Sequence, residues 1–334
     1  MFLRGEEINI GFGVEETRGV AVVPQVFVPG RTPTGMRVDV KKTLLKETKG
    51  TGIASQGSVV TQRSASGALE FNVRSESLGY LLKPLMGKCT TTTVLGTVKS
   101  HKFEVLQNNP QNPTITAVLA QAGAFQDYVY KGALAKQLEI KTPVDDLVQG
   151  TVQLIARDEE EHAAYTPTFN LTDYFFRPQD VSIKLAADVD GLAAATAIGV
   201  KEFSFSYNNN GKAQNTLGSV TPTDIIAGVS EIGGEMVLDY EDDTYHDIYK
   251  DGTYKAMQIT LERADIDLDV AHNHPKIVIT LAKVSVETLN ADRPIDDIVK
   301  DKLSFVAHYD ETEAEAINVV IQNTVADYLF DVIS

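Results

Sequence analysis

The chain has 334 residues, of which 43% are hydrophobic and 23% are charged, a balance typical of a globular protein. The net charge of −16 argues against ordinary nucleic-acid binding, which needs lysine and arginine to displace counterions from phosphate. Neither a membrane-spanning helix nor a secretory signal is predicted, and Cys89, as the only cysteine, excludes an intrachain disulfide.

The first strongly patterned region combines a strand with a helix. Leu69, Phe71 and Val73 alternate with other residues, which predicts a strand with one buried face. Leu78–Leu82 then follows a helical spacing. Ser75 stands before it as the expected N-cap, because its hydroxyl can accept a free backbone N–H.

The same pattern recurs in the second half of the chain. Met236, Leu238 and Tyr240 repeat the alternation, and Asp242 is the expected N-cap of a second helix that begins near Tyr245. We call the displacement that carries Leu69 to Met236 the first offset. The sequence therefore indicates an internal duplication, which must be recognised before any fold is assigned.

A second block repeats at a smaller displacement. Pro143–Val148 reads Pro-Val-Asp-Asp-Leu-Val, and Pro294–Val299 reads Pro-Ile-Asp-Asp-Ile-Val. We call the displacement that carries Pro143 to Pro294 the second offset. Because it is smaller than the first, the first copy is longer between its blocks. We place the surplus near Cys89–Glu104, where a run of threonines and a glycine predict an additional hairpin or loop.

Two long polar segments occupy corresponding places in the two copies, and we interpret both as arms that reach a neighbouring molecule. They are Lys41–Arg63 and Asn208–Val229. The boundary between the copies is expected near Asp158–Asn170, with Glu159–His162 as a solvated linker. The predicted domains are residues 1–165 and 166–334.

Strands dominate the remaining chain, because its segments are alternating or rich in β-branched residues. The segment Glu313–Phe330 fits a terminal helix or a strand equally well. The other predicted strands are Ile115–Ala120, Lys136–Lys141, Ile183–Ala186, Ala256–Leu261, Asp265–Val270, Ile277–Ala282 and Val284–Thr288.

Several residue groups could carry chemistry, but none is predicted to form a catalytic, cofactor or metal site. Gly11-Phe12-Gly13 lacks the third glycine of a dinucleotide-binding turn. Asp265–Asp269 has the acid spacing that opens a calcium loop, but its alternating apolar residues favour a strand with one wet face, which could line an acidic channel. His272 and His274 have no third ligand at a suitable spacing.

The adjacent acids Asp145-Asp146 and Asp296-Asp297 each follow a proline at a predicted turn. Two neighbouring residues on a turn do not converge on one substrate atom. We therefore interpret them as structural joints rather than as catalytic carboxylate pairs.

The chain resembles the tail tube proteins of long-tailed phages over nearly its whole length. The resemblance rests on the number and order of its matching segments rather than on a diagnostic motif. These segments are Phe12–Pro24, Ser66–Phe71, Ser77–Leu82, Lys184–Ala186, Gly191–Ile198, Leu217–Ile225 and Asp296–Val299.

The resemblance implies a mainly β protein made of two tandem tail-tube-type β-sandwich or barrel folds, each with a short flanking α-helix. It implies a structural subunit of the virion tail, assembled in the host cytoplasm, and not an enzyme. Six tube folds form a ring in this family, so two per chain imply a pseudo-sixfold trimer ring, stacked into a tube. No cofactor is implied.

The expected partners are further copies of the chain, the tape-measure protein, and the tail terminator and distal tail proteins. Genomic DNA would pass through the lumen without specific binding, past a wall that repels phosphate mildly. Two alternatives remain open at this point. One is another virion or surface-assembly β-protein, and the other is a carbohydrate-binding or hydrolytic β-sandwich.

Overall fold

The computed structural model describes residues 2–328 except 32–34, 49, 51, 54, 108–110, 122–124, 163, 171, 294, 296 and 297. This part of the chain is mainly β, as predicted. Its α-helices are α1 (Ser77–Met86) and α2 (Thr244–Asp251). Its strands are β1 (Ile8–Val14), β2 (Val26–Val28), β3 (Met36–Leu44), β4 (Ser58–Asn72), β5 (Gly87–Leu95), β6 (Val98–Val105), β7 (Ile115–Gln121), β8 (Asp127–Thr142), β9 (Gln149–Ala156), β10 (Asp158–His162), β11 (Val181–Ala186), β12 (Val200–Asn208), β13 (Lys212–Gln214), β14 (Asp224–Ile226), β15 (Glu231–Asp239), β16 (Lys255–Glu262), β17 (Lys276–Asp292), β18 (Lys300–His308) and β19 (Ile317–Asn323).

Strand β4 shows how the alternation in the sequence becomes a buried face. Leu69 and Phe71 are buried in the core, whereas Glu70 between them is exposed. Successive side chains of a strand point to opposite faces, so a period of two separates the apolar face from the polar one. Burying a side chain such as Phe71 contributes roughly 1.5–3 kcal/mol of hydrophobic free energy.

Antiparallel strands of the first half, β1 to β10, form two connected groups. One group has the order β1-β7-β8-β10, and the other has the order β3-β4-β9-β8. The long strand β8 belongs to both groups. Buried side chains from both groups, including Phe12 and Leu69, lie in one hydrophobic cluster, as in a sandwich.

The second half, β11 to β19, repeats this order of pairing. Its groups are β11-β16-β17-β19 and β12-β15-β18-β17, so β17 takes the place of β8. Leu69 lies opposite Val152 in the first half, and Met236 lies opposite Leu303 in the second. The first offset carries Leu69 to Met236 and the second offset carries Val152 to Leu303, so both offsets match the strand registers.

Matching β-bulges occur on the two shared strands. The register of β8 on β9 slips between Ala135 and Gln137, leaving Lys136 as the additional residue. The register of β17 on β18 slips between Val286 and Thr288, leaving Glu287, to which the second offset carries Lys136. Because a bulge bends its strand, it allows one long strand to serve both groups.

The surplus in the first half is a hairpin, as predicted near Cys89–Glu104. Strands β5 and β6 pair with each other, and β6 also pairs with β19 of the second half. The hairpin therefore covers an edge of the second half. The ambiguous C-terminal segment contains strand β19, which decides between helix and strand for Ile317–Asn323.

The N-terminus of α1 is capped by a residue distant in the sequence. The prediction of Ser75 as the N-cap is wrong, because its hydroxyl accepts the N–H of Tyr174 instead. The backbone N–H of Glu76 and that of Ser77 donate to the Asp173 carboxylate at 2.7 and 3.3 Å.

The prediction of Asp242 as the N-cap of α2 is wrong by one residue, because Asp243 occupies that position and its side chain makes no capping hydrogen bond. The Asp242 carboxylate, one residue earlier, accepts the backbone N–H of Thr244 at 2.9 Å. The two helices therefore begin at corresponding places but are capped in different ways, one by a local side chain and the other by a distant one.

Two predicted segments are wrong. Asp265–Val270 is a series of turns rather than a strand, because its acids hold local donors: Asp265 pairs with Arg263 at 2.8 Å and Asp269 accepts the N–H of Ala271 at 2.9 Å. The idea that one face of this strand lines a channel therefore fails. Glu159–His162 is not a linker but part of β10, which pairs with β8.

Candidate assembly surfaces and polar wall

One continuous sheet joins the two halves. Strand β12 of the second half pairs with β8 of the first, giving the order β3-β4-β9-β8-β12-β15-β18-β17. Tyr207 lies opposite Leu138 and Phe205 lies opposite Ile140, and all four side chains are buried. The junction between the halves is therefore continuous with the hydrophobic core.

The two ends of this eight-stranded sheet are the counterparts of the two strands that meet at its middle. β3 corresponds to β12, and the C-terminal part of β17 corresponds to β8. Within the described part of the chain, β3 pairs only with β4, and residues 285–292 of β17 pair only with β18. Exposed strand edges of this kind are templates for pairing with another chain.

The face of the eight-stranded sheet that points away from the core is polar. A groove of about 950 Å³ lies along its central strands. Hydroxyl and amide side chains occupy many of the alternate positions on this face. They include Gln137, Thr151, Gln153, Ser204, Ser206, Asn208 and Ser304.

Cations on this face lie against carboxylates. Lys141 contacts Glu139 at 3.0 Å, and Lys302 contacts Glu235 at 2.9 Å. The hydrogen bond to Glu235 raises the pKa of the Lys302 ammonium group. Exposed pairs of this kind add little stability, but each cancels a positive charge that could otherwise attract an anion.

The second long polar segment folds onto the first half instead of projecting, so its interpretation as an arm fails. We call residues 209–229 the folded loop; it contains the hairpin β13–β14. Its Asp224 carboxylate receives Arg18 at 3.0 Å, and its Pro222 carbonyl receives Nε of Arg157 at 3.0 Å. Ile225 is buried against Leu134.

The first long polar segment is an exposed β-hairpin. We call residues 40–62 the arm; its sides are the outer parts of β3 and β4. Leu44 is 55% exposed and Leu45 is 44% exposed, although both are large and apolar. A projecting hairpin with exposed leucines indicates a surface that another molecule covers.

Two buried carboxylates meet at the start of α1. Burial raises the pKa of Glu76, and the nearby Asp173 carboxylate raises it further. Burial likewise raises the pKa of Asp173, against the opposing effect of its hydrogen bond from Ser77. Asn170 and Thr324 also donate to Glu76, so segments from both halves converge here.

The family profile described as phage tail tube protein matches residues 5–298 of this chain. The chain belongs to the phage tail tube protein family. No curated protein matches the sequence. The prediction of a viral structural protein of the phage tail is therefore confirmed at the level of the family, and the mainly β fold agrees with it.

The motif at the start of this tail tube protein has a structural role. Glu15 is buried, and its carboxylate accepts hydrogen bonds from the N–H of Gly19 at 2.6 Å and of Gly132 at 2.7 Å. Thr114 and Thr116 donate to it through their hydroxyls. Glu15 thus fixes the turn that places Arg18 against the folded loop.

The candidate metal ligands do not gather into a site in the described part of the tail tube protein. His272 and His274 both face Asp267, at 3.0 and 3.5 Å, and no group of three or more His, Cys, Asp or Glu side chains there could hold a metal ion. Cys89 lies on β5, half-buried. No described helix is long and apolar enough to cross a membrane.

The first of the two Asp-Asp joints holds two segments of the first half together. Asp146 binds Arg31 at 2.8 Å, which lowers the pKa of the Asp146 carboxyl group, and it also receives Gln149. Asp146 thus ties the turn before β9 to the segment before β3. Pro294, Asp296 and Asp297 lie outside the described residues.

Proposed function

We propose that residues 1–165 and 166–334 are two copies of one tail tube fold, and that three chains close into a ring of pseudo-sixfold symmetry. The matched order of pairing, the matched bulges and the two offsets support the duplication. A ring of three chains then presents six tube folds, and stacked rings form the tube.

The observation that carries the proposal is the pairing of β12 with β8 inside one chain. It serves as a template for the contact between chains, because β3 and β17 are the counterparts of those strands. Met36 of β3 lies opposite Gly67, and Phe205 of β12 lies opposite Gly234, to which the first offset carries Gly67. Met36 and Phe205 therefore occupy corresponding places in the two halves.

This correspondence specifies the register of the interface. Inside the chain, β12 residues 206 and 207 lie opposite β8 residues 139 and 138. Transferring these pairs to β3 and β17 places Val38 of one chain opposite Leu289 of the next, and Arg37 opposite Asn290.

Ring closure removes the exposed edges that a single chain leaves. An edge strand that pairs with its neighbour satisfies its free backbone groups, and a closed barrel has no edges left to promote aggregation. Contacts along the axis do not close on themselves, so the rings grow into an open filament. We assign the contacts between rings to the exposed leucines of the arm, Leu44 and Leu45.

The polar face of the eight-stranded sheet would then line the channel through which DNA leaves the capsid. The sequence predicts a wall that repels phosphate mildly because the chain is acidic. The proposed wall carries hydroxyl and amide groups, and its lysines lie against carboxylates. Such a wall offers phosphate few attractive cations. Screening limits its field to about 8 Å at physiological salt.

We also propose that the tube subunit assembles in the host cytoplasm and meets the tape-measure, tail terminator and distal tail proteins. The terminator and distal proteins would contact the two ends of the stack, where one face of the last ring has no neighbouring ring. These contacts follow from an open stack, whose ends differ from its middle.

Native mass spectrometry and electron microscopy of the purified chain test the proposal together. We expect assemblies of three chains per ring, and tubes whose end views show six similar lobes. Rings of six chains would contradict the trimer while leaving a tube intact. Isolated monomers at high concentration, with no rings under any salt condition, would contradict the assembly itself.

A further inference from the structure

Two kinds of junction alternate around the proposed ring, one inside the chain and one between chains. Inside the chain, the folded loop of the second half lies on the first half. Arg157 donates from its Nε to the carbonyl of Pro222, and Arg18 pairs with Asp224. At this junction the first half is the surface that receives the loop, and it supplies the cations Arg18 and Arg157.

The receiving surface of the second half has the opposite charge at the matching place. Arg157 forms the corner between β9 and β10, and the second offset carries it to His308 at the end of β18. The corner that follows is a longer acidic turn, residues 309–316. It contains Asp310, Glu311, Glu313 and Glu315; Glu311 and Glu313 are exposed, whereas Glu315 is half-buried and contacts Lys102 at 3.6 Å.

The arm is the counterpart of the folded loop. The arm extends from the strand pair β3–β4, and the folded loop lies between β12 and β15, the matching pair of the second half. It carries Lys41, Lys42 and Lys46, and all three are exposed. The folded loop instead has Asp224 at its contact with the first half. Both partners of the open junction therefore have the reverse charge of their counterparts inside the chain.

We infer that the root of the arm, which carries Lys41 and Lys42, docks on the acidic turn, residues 309–316, of the neighbouring chain in the ring. This inference rests on the ring proposed above and names the surface that selects the neighbour. The first half offers no comparable site, because its own folded loop already covers Arg18 and Arg157, and these arginines would in addition repel the lysines of an arm. The charge pattern thus favours first-to-second contacts between chains and disfavours first-to-first contacts.

The selection is electrostatic, so it acts mainly on the rate of association and on the choice of partner. The charges concerned are exposed, and salt screens them beyond about 8 Å at physiological ionic strength. The strand pairing of β3 with β17 holds the ring once it has formed. Assembly at low salt is therefore the sensitive measurement.

The test is a charge swap across the junction. We expect Lys41→Glu with Lys42→Glu to slow ring formation by about tenfold or more at low salt, measured by light scattering, because like charges now meet. Adding Glu311→Lys and Glu313→Lys to the same chain should restore the rate. Adding Asp247→Lys and Asp251→Lys on α2, which changes the net charge equally, should not.

Equal rescue by the α2 changes would contradict the inference, because net charge alone would then explain the effect. Unimpaired assembly of the arm variant would contradict it as well. Circular dichroism of each variant verifies that the fold is kept, so loss of assembly through unfolding is recognised. A wild-type chain that forms no rings would instead contradict the proposed function.

Discussion

Tyr207 of β12 lies directly opposite Leu138 of β8, and both side chains are almost fully buried although they come from different halves of the chain. The Tyr207 hydroxyl is 2.8 Å from that of Ser230, and burial raises the pKa of Tyr207 to about 12. The junction between the halves is therefore built like a protein interior. This is the contact that we expect to recur between chains.

Truncating Tyr207 should destabilise the chain strongly. We expect Tyr207→Ala to lower the free energy of unfolding by about 3–5 kcal/mol, because it leaves a cavity in the core where the halves meet. Tyr207→Phe keeps the ring and should cost only about 0.5–1.5 kcal/mol, the net worth of one hydrogen bond. Urea denaturation measures both, and equal losses would contradict this packing role.

The remote cap of α1 gives a second prediction. Asp173→Ala leaves the N–H groups of Glu76 and Ser77 without their acceptor, so we expect a loss of about 1–3 kcal/mol in the free energy of unfolding. Asp242→Ala is the matched control at the exposed start of α2, where water can replace the lost acceptor and the loss should be smaller. Urea denaturation of the two variants that gives a loss no larger at Asp173 than at Asp242 would contradict the cap.

The two buried carboxylates at α1 predict a pH dependence. The folded pKa of Glu76 is raised by burial and by Asp173, so the folded state binds a proton more tightly than the unfolded state. Its contribution to stability is fully present below the ordinary glutamate pKa of about 4.3 and is lost as pH rises through the raised folded value.

Glu76→Gln isolates this contribution, because glutamine keeps the shape of the side chain and does not titrate. The pKa of Asp265 is shifted in the opposite direction to that of Glu76, because Arg263 lowers the pKa of the Asp265 carboxyl group to about 2. We expect the stability of the wild type relative to Glu76→Gln to fall as pH rises from about 4 through the raised folded pKa of Glu76. A difference in unfolding free energy that stays constant with pH would show that Glu76 is not responsible.

The charge pairs on the polar face predict an effect on DNA passage. Glu139→Gln with Glu235→Gln removes the carboxylates that face Lys141 and Lys302. We expect phages with these changes to release DNA more slowly at low salt and to recover at high salt, because free lysines attract phosphate. Fluorescence of released DNA measures the rate.

The matched control for the wall is Asp247→Asn with Asp251→Asn, which removes two charges from α2 instead. These phages should release DNA at the wild-type rate. Slowing that does not respond to salt would indicate a structural defect, and equal slowing in the control would contradict a specific role of the polar face.

The repeated offsets in the sequence predict much of the fold because they reflect strand registers. Leu69 pairs with Val152, and Met236 pairs with Leu303. The first offset carries Leu69 to Met236, and the second offset carries Val152 to Leu303. The hairpin near Cys89 is also predictable, because a surplus of residues in one copy must form an additional element.

Contacts between distant residues lie beyond local patterns. No spacing rule links Asp173 to Ser77, so the sequence points to Ser75 as the cap. Strand β10 is rich in glutamate, which disfavours strands, yet pairing with β8 and the contact between Glu159 and the Tyr130 hydroxyl at 2.6 Å override that preference.

The polar face is equally hidden in the sequence. The residues named on it come from five strands, β8, β9, β12, β15 and β18, and their alternation is visible only strand by strand. The pairing of Glu235 with Lys302 depends on the registry of β15 with β18. The folded loop matches Lys41–Arg63 in length and polarity, which predicts an arm, while its anchor Arg18 is distant in the sequence from Asp224.

Disulfide trapping between chains tests the central claim most directly. Arg37→Cys and Asn290→Cys, combined with Cys89→Ser, place two thiols at directly opposed positions of the proposed β3–β17 interface. Opposed residues of an antiparallel pair lie about 4.5–5.5 Å apart, which a disulfide can span. Arg37→Cys with Ala291→Cys is the control, because Ala291 points to the other face of the strand.

Under mild oxidation we expect the first pair to form covalent trimers in high yield on a nonreducing gel, and the control pair to form few. Trapping that closes at three chains would show both the register and the size of the ring. Equal trapping in the two variants, or no trapping in assembled tubes, would contradict the claim that the pairing inside the chain recurs between chains.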